Sequence, residues 1–214
     1  MKLFFFKSEK VDDSNYNGGH ISSQPLIEKK NELLPTVPLE KAITGTVYYR
    51  KFFIIPEYTC PTLRIFLDAP SLANDNCLIQ QGTCTDKQSD VIDYTEWKGT
   101  GILQDTLDNS IAITSFSVLS KISGQGFNVL DLVRISDGIN KDFIRIKSLS
   151  WSGNIVTLVF FDDTFINSSY EVGANISACI ERGRNNKMSV WIKENIPVEI
   201  GMYSNNINYI KGAF

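Results

Sequence analysis

Short runs of apolar, β-branched and aromatic residues alternate with turn-forming residues along most of the chain. In residues 143–150, the apolar Ile144 and Ile146 fall on one side of an extended chain and the charged side chains fall on the other, which is the period of a half-buried strand. Ser152-Gly153-Asn154 follows and favours a tight hairpin into residues 155–160. The predicted strands cover residues 48–55, 63–67, 110–116, 132–135, 143–150, 155–160, 175–180 and 188–193. The sequence therefore predicts an all-β fold.

The predicted strands separate into an inner and an outer set. Strands within residues 97–184 follow one another at short intervals, which is typical of a small β-barrel or sandwich. The strands at 48–55 and 188–193 lie far apart in the chain, yet neither can bury its apolar side chains alone, since an isolated hairpin is marginally stable in water. We therefore predict that they share a sheet. The predicted architecture is a discontinuous β-sandwich of residues 46–96 and 185–214, into which a small β-barrel of residues 97–184 is inserted.

Residues 1–45 differ from the rest of the chain and predict an extended N-terminal arm. The segment around Gly18-Gly19 is polar and rich in turn formers, without a helical or strand period. The same arm contains Phe4, Phe5 and Phe6, an apolar cluster that is costly to leave in water and too short to form a core. We therefore expect these three side chains to dock into a groove on an adjacent subunit or on the host particle.

Charge and hydropathy narrow the classes of partner. The net charge is −3, with 21 basic and 24 acidic residues, so the composition provides no broad positive field for nucleic acid as a main partner. The longest apolar runs, residues 52–56 and 156–161, are far shorter than the roughly 20 residues of a membrane-spanning helix, so no membrane partner is expected. The first residues lack the apolar stretch of a secretory signal, which predicts a protein made and kept in a cytoplasm.

Catalytic and metal-binding patterns are weak in this sequence. The single histidine, His20, lies in the polar arm, where a Ser-His-Asp or Cys-His relay has no surroundings that could orient it. Cys77 and Cys84 do not match the spacing of zinc sites; a reducing compartment would keep them as thiols, and pairing after release into oxidising surroundings is the alternative. Residues 86–90 and 161–164 contain carboxylates that could hold calcium, but neither matches the twelve-residue calcium loop. We predict no enzymatic activity, no metal and no cofactor.

The three tryptophans are the main candidates for exposed aromatic rings. Trp97 precedes a Gly-Thr-Gly bend and Trp191 sits within an alternating strand, so both are interpreted as core or interface anchors. Trp151 lies at the corner of the predicted hairpin and is the candidate for a ring that stacks on a ligand such as a sugar.

Several short phrases of the chain resemble structural proteins of tailed bacteriophages and prophages. These phrases are Asn31-Glu32-Leu33-Leu34-Pro35 with Gly45 and residues 49–53, then residues 97–103, 127–136 and 190–197, Tyr170 with Gly173, and Tyr203-Ser204-Asn205-Asn206. The resemblance spans most of residues 30–210. In one departure, Leu130 precedes Asp131 where such modules often place a glycine, which predicts a wider turn.

The resemblance implies a virion component with no catalytic residues, assembled in the host cytoplasm. Its implied partners are other copies of itself in a ring or shell, together with portal, tail or capsid proteins. It leaves open the neck or collar, the capsid surface, and the tail or baseplate; we expect the head–tail neck or collar. The alternative hypothesis is a carbohydrate- or receptor-binding module that uses the loops around Trp151 and residues 86–90.

Overall fold

The computed structural model describes residues 2–10, 17–26, 38–70, 76–185, 187–198 and 210–213. These residues form a nearly all-β fold with antiparallel strand pairing, which confirms the predicted fold class. The strands are β1 (Leu3–Lys10), β2 (Gly18–Pro25), β3 (Thr46–Pro56), β4 (Cys60–Leu67), β5 (Asn76–Gly82), β6 (Thr100–Leu103), β7 (Ser115–Ser120), β8 (Leu132–Ser136), β9 (Lys141–Ser152), β10 (Ile155–Phe160), β11 (Asn175–Asn185), β12 (Met188–Ile196) and β13 (Ile210–Ala213). The helices are α1 (Leu39–Thr44) and α2 (Gln88–Val91). Within the described ranges, no helix has the length and apolar character needed to cross a membrane.

One sheet contains five strands in the order β2-β1-β3-β12-β5. Its centre is the antiparallel pair β3 and β12, which runs from Met188 opposite Ile54 to Ile196 opposite Thr46. This pairing confirms the prediction that strands about 140 residues apart in the sequence share a sheet. The physical reason is burial, because Phe52 on β3 and Val190 on β12 belong to one buried apolar cluster.

The N-terminal residues belong to this sheet, which corrects the prediction of an extended arm for residues 3–10 and 18–25. β1 lies between β2 and β3, with Phe5 opposite Ile54. Because side chains alternate along a strand, Leu3 and Phe5 pack against the chain's own buried cluster, while Phe4 points to the other face and is 39% exposed. The predicted docking cluster is therefore divided between two faces, and Phe5 is a half-buried residue of its own chain, as is Phe6 on the opposite face. Residues 11–16 and 27–37 of the predicted arm lie outside the described residues.

The second sheet contains eight strands in the order β13-β4-β11-β6-β7-β10-β9-β8, and β11 also pairs with β8. The additional pairing closes six strands, β6, β7, β10, β9, β8 and β11, into a ring. The ring encloses a buried cluster that includes Val118, Ile135, Ile146, Leu158 and Ile176. The β9–β10 hairpin turns at Gly153-Asn154, with Ile155 opposite Ser152, which confirms the predicted turn.

β11 joins the ring to the rest of the chain. Its first residues pair with β6 and β8, and from Ile180 onward it pairs with β4. The predicted boundary at residue 184 therefore falls inside a continuous strand. A hydrogen bond from the Ser177 hydroxyl to the Leu67 carbonyl, 2.6 Å long, adds a side-chain link at the same junction.

Both faces of the five-stranded sheet are covered. On one face, the sheet shares its apolar cluster with Leu63 and Ile65 of β4. On the other face, Trp191 and Trp97 lie in a cluster with Val91 of α2. Trp97 and Trp191 are almost fully buried, so their interpretation as core anchors is confirmed.

A buried ion pair between Lys51 and Asp86 links three segments on that second face. The Lys51 ammonium group also donates to the carbonyl of Gly19, at 2.7 Å, and to that of Asp86, at 3.1 Å. Removing a charge from water is costly unless hydrogen bonds and an opposite charge replace the water. These contacts supply that replacement, and they fix the start of β2 against β3.

Two local predictions need correction. The predicted strand at residues 110–116 begins only at Ser115, because the preceding residues close the end of the ring.

The turn at Leu130-Asp131 is not widened: Leu130 adopts a φ of 68°, and the Asp131 N–H donates to the Asn128 carbonyl across a tight turn, at 3.1 Å. The left-handed conformation that favours glycine is thus taken by leucine, at a cost of about 1–2 kcal/mol.

We predict that Phe5→Ala lowers the free energy of unfolding by about 2 kcal/mol, because it empties a half-buried position against Phe52. The matched control is Phe4→Ala on the opposite face of the same strand, which we expect to cost less than about 1 kcal/mol. Urea unfolding of both variants measures the difference. Equal costs would show that β1 does not place Phe5 in the chain's own core.

Candidate protein-binding surface

Three connections leave the six-stranded ring at the same end. They are the β6–β7 connection at residues 104–114, the β8–β9 connection at residues 137–140 and the β10–β11 connection at residues 161–174. They share an end because every neighbouring pair of strands in the ring is antiparallel. We call these three segments the loop end. At the opposite end of the ring, β11 continues into its pairing with β4, so the loop end lies at the other end of the ring from that continuation.

Side chains of the longer loops seal the ring. Leu107, Ile113, Ile166 and Tyr170 are buried in the same cluster as the ring strands. The N–H of Leu107 donates to the carbonyl of Tyr170 at 2.8 Å, and the N–H of Tyr170 donates back to Leu107 at 2.9 Å. The Ile113 N–H donates to the Thr164 carbonyl at 2.7 Å. The loops are thus held by core burial and by backbone hydrogen bonds, and they form part of the folded body.

The carboxylate of Asp142 fixes the third connection. Asp142 is buried near the start of β9, and it accepts hydrogen bonds from the N–H groups of Asn167, at 3.0 Å, and Ser168, at 3.1 Å. It also accepts one from the Tyr170 hydroxyl, at 2.8 Å. Burial raises the pKa of Tyr170 above its ordinary value, and the hydrogen bond to Asp142 adds to that shift, so the hydroxyl stays protonated and remains a donor.

Large apolar side chains project outward from all three connections of the loop end. They are between 44% and 92% exposed: Ile111, Ile139, Phe161, Phe165 and Val172. Single exposed apolar residues are common on protein surfaces, but a concentration of them on one rigid end is typical of a protein-binding surface. The tip residue Ile139 is the clearest example, since it is 92% exposed within a turn of polar residues.

The sequence contains a signal for this surface in a turn, outside the predicted strands. Asp137-Gly138-Ile139-Asn140 is a turn. Asp, Gly and Asn are common turn residues, but isoleucine is not. The Asp137 carboxylate accepts from the N–H groups of Ile139 and Asn140, at 2.8 and 2.6 Å, so the turn itself needs no apolar side chain. An apolar residue without a structural role in a turn is a reasonable indicator of binding.

The predicted ligand-stacking residue lies elsewhere. Trp151 is half-buried on β9 and packs against the ring's apolar cluster, next to the β9–β10 turn and away from the loop end. Its ring therefore contributes to the core of its own chain. Phe4 and Phe6, on the outer face of β1, are also remote from the loop end in the strand order.

A concavity of about 430 Å³ lies where the ring meets the five-stranded sheet. In its lining, Lys98 pairs with Asp131, and Arg145 pairs with Glu181. Burial acts to raise the pKa of Glu181, but hydrogen bonds from Arg145 and Arg64 outweigh it and hold the pKa below its ordinary value. These ion pairs thus stabilise the chain's own fold, and the Arg145–Glu181 pair joins β9 to β11 within the eight-stranded sheet.

The described part of the chain offers little to a metal or a nucleophilic reaction. No group of three or more His, Cys, Asp or Glu side chains in it could hold a metal ion. Cys77 is buried and Cys84 is exposed, and both keep a reduced thiol. Burial raises the pKa of the Cys179 thiol to about 12, which keeps it protonated and unreactive at neutral pH.

Comparison of the chain with protein-family models, with curated proteins and with solved structures found no match.

We predict that Asp142→Ala lowers the free energy of unfolding by about 2–4 kcal/mol, because it leaves the N–H groups of Asn167 and Ser168 and the Tyr170 hydroxyl without their acceptor. Tyr170→Phe removes one of these hydrogen bonds and is expected to cost about 1 kcal/mol. Denaturant unfolding of both variants provides the measurement. A cost below that of Tyr170→Phe would mean that the carboxylate does not hold the third connection.

Proposed function

We propose that this chain is a non-enzymatic structural subunit that docks onto another protein through the loop end. The observation that carries the proposal is the group of outward apolar side chains on all three connections, each connection fixed to the ring by hydrogen bonds. A surface that is already ordered loses little conformational entropy on binding, so more of its contact energy is available for affinity.

The resemblance to tailed-bacteriophage structural proteins supplies the setting of the proposal. The phrases at residues 97–103 and 127–136 contain β6 and β8, and the phrase at residues 190–197 overlaps most of β12, so the resemblance falls mainly on the framework; Tyr170 and Gly173 lie in the β10–β11 connection. The outward side chains of the loop end lie outside these phrases, as expected where each subunit recognises its own neighbour. We therefore propose a virion subunit at the head–tail neck or collar, contacting portal, tail or capsid proteins and other copies of itself. The phrase Tyr203-Ser204-Asn205-Asn206 and the one at residues 31–35 lie outside the described residues.

The proposal includes an interpretation of the architecture. We interpret the six-stranded ring as the predicted small β-barrel, and the facing sheets joined through β3, β12 and β4 as the predicted discontinuous β-sandwich. In this interpretation, the barrel presents its loops to the partner and the sandwich holds the barrel in position.

The carbohydrate- or receptor-binding alternative has weaker support. Its candidate residue, Trp151, packs half-buried against the ring's cluster, which leaves less of the ring face for stacking on a sugar. Of residues 86–90, Asp86 is engaged with Lys51, and Asp90 accepts from the Lys87 N–H at 2.8 Å. These polar groups stabilise the fold of their own loop.

The test replaces the apolar side chains of the loop end and measures incorporation into particles. We predict that Ile139→Ser combined with Phe165→Ser lowers binding to particles assembled without the chain by tenfold or more, since central apolar contacts dominate binding energy. The thermal midpoint should stay close to that of the wild type, because both side chains are largely exposed.

The matched control is Ile155→Ser, which replaces an exposed isoleucine beside the β9–β10 turn, at the other end of the ring. This variant should bind like the wild type. Normal incorporation of the Ile139 and Phe165 double variant, or binding of the wild type to glycans on an array, would overturn the proposal.

A further inference from the structure

The loop end is acidic as well as apolar. Its three connections contain Asp105, Asp108, Asp137, Asp162, Asp163 and Glu171. They contain no lysine or arginine. The whole chain has 21 basic and 24 acidic residues, so removing these six acids leaves 21 basic and 18 acidic residues, a net charge of +3 for the remainder. The negative charge of the protein is therefore concentrated at the same end as the exposed apolar side chains.

Two of these carboxylates accept hydrogen bonds within their own turns. Hydrogen bonds from Ser110 lower the pKa of Asp108, and those from Asn140 and Ile139 lower the pKa of Asp137. The side chain of Asp162 is 89% exposed, and its ion pair with Lys147 is long, at 3.7 Å. Such a pair in water neutralises little of the negative charge.

The combination restricts which surface can cover the loop end. Two copies that met loop end to loop end would bring six carboxylates against six, and like charges across an interface oppose association. A nucleic acid is excluded by the same repulsion. A complementary surface places lysine or arginine side chains around an apolar recess that receives the tip residues, which matches the charge of the rim and the apolar character of the centre.

We propose that the loop end binds a basic surface of a different protein, one whose lysine and arginine side chains surround an apolar recess. This inference rests on the proposed docking function and adds the chemical class of the partner. The acidic side chains of the three connections then attract the partner as it approaches, and Ile139 and Phe165 supply the apolar contact area. Binding of this kind weakens as salt is added, because mobile ions screen the charges at the rim.

The test neutralises three acids without changing the apolar side chains. The variant combines Asp162→Asn, Asp163→Asn and Glu171→Gln. Asparagine suits position 163, where φ is 62°, because it tolerates the left-handed conformation about as well as aspartate. The control combines Glu40→Gln, Glu57→Gln and Asp93→Asn, which changes the net charge equally at exposed sites outside the ring.

The assay measures binding to particles assembled without the chain, over a range of NaCl concentrations. We expect the loop-end variant to bind about tenfold more weakly at low salt and with a shallower salt dependence, while the control binds like the wild type. Wild-type affinity that is independent of salt, or equal losses in the two triple variants, would overturn the inference. If the charge variant binds normally while the Ile139 and Phe165 variant fails, the docking function stands and the basic partner is excluded.

A second measurement tests the alternative that the occupant is another copy. Sedimentation velocity at low salt compares the purified wild-type chain with the Ile139 and Phe165 double variant. We expect no dimer in the wild type that is lost in the double variant. A dimer that depends on these two residues would overturn the inference, because it would show that the loop end recognises its own chain. If neither the apolar double variant nor the charge variant loses particle binding, both the docking function and the inference are overturned.

Discussion

Strand β11 is the constraint on which the arrangement of this protein depends. Its first residues complete the ring between β6 and β8, and its later residues provide the partner for β4. A change in its register would displace Ile176 from the ring's cluster and Ile180 from the cluster between the sheets at the same time. Arg145 and Arg64 add ion pairs to Glu181 on the same strand, so strands β9 and β4 are also connected across the junction. The ring and the apolar cluster between the sheets are therefore expected to unfold as one cooperative unit.

This shared strand also determines which end of the ring is available to a partner. At one end, β11 continues into its pairing with β4, and the loop end is at the opposite end. At the loop end, the side chains that point inward and those that point outward have different roles. Ile113 and Ile166 fill the ring and Asp142 satisfies the backbone beneath them, while Ile111 and Phe165, two and one residues away, point to solvent. The buried side chains hold the exposed side chains in position, which is the requirement for a preformed docking surface.

How far the sequence predicted this structure depends on the range of the forces involved. The pairing of β3 with β12 and the turn at Gly153-Asn154 were predictable, because apolar alternation and turn chemistry are encoded locally. The N-terminal strands were missed because Gly18-Gly19 resembles a flexible linker. In the structure, a Cβ at Gly18 would lie 2.6 Å from the Asp86 carbonyl oxygen, so the glycine permits close contact with a segment almost 70 residues away. The loop end was missed for a similar reason: whether Ile113 points inward and Ile111 outward is decided by closure of the ring, which no local pattern records.

The central claim of this account is that the loop end is ordered before any partner binds. Hydrogen–deuterium exchange of the purified chain tests it most directly, through the backbone amides of Leu107, Ile113 and Tyr170, which donate to carbonyls within the loop end. The account predicts that these amides exchange slowly, within about tenfold of ring-strand amides such as that of Val118. Exchange of all three at the rate of an unstructured peptide would contradict it, because the apolar side chains would then have no fixed surface to present.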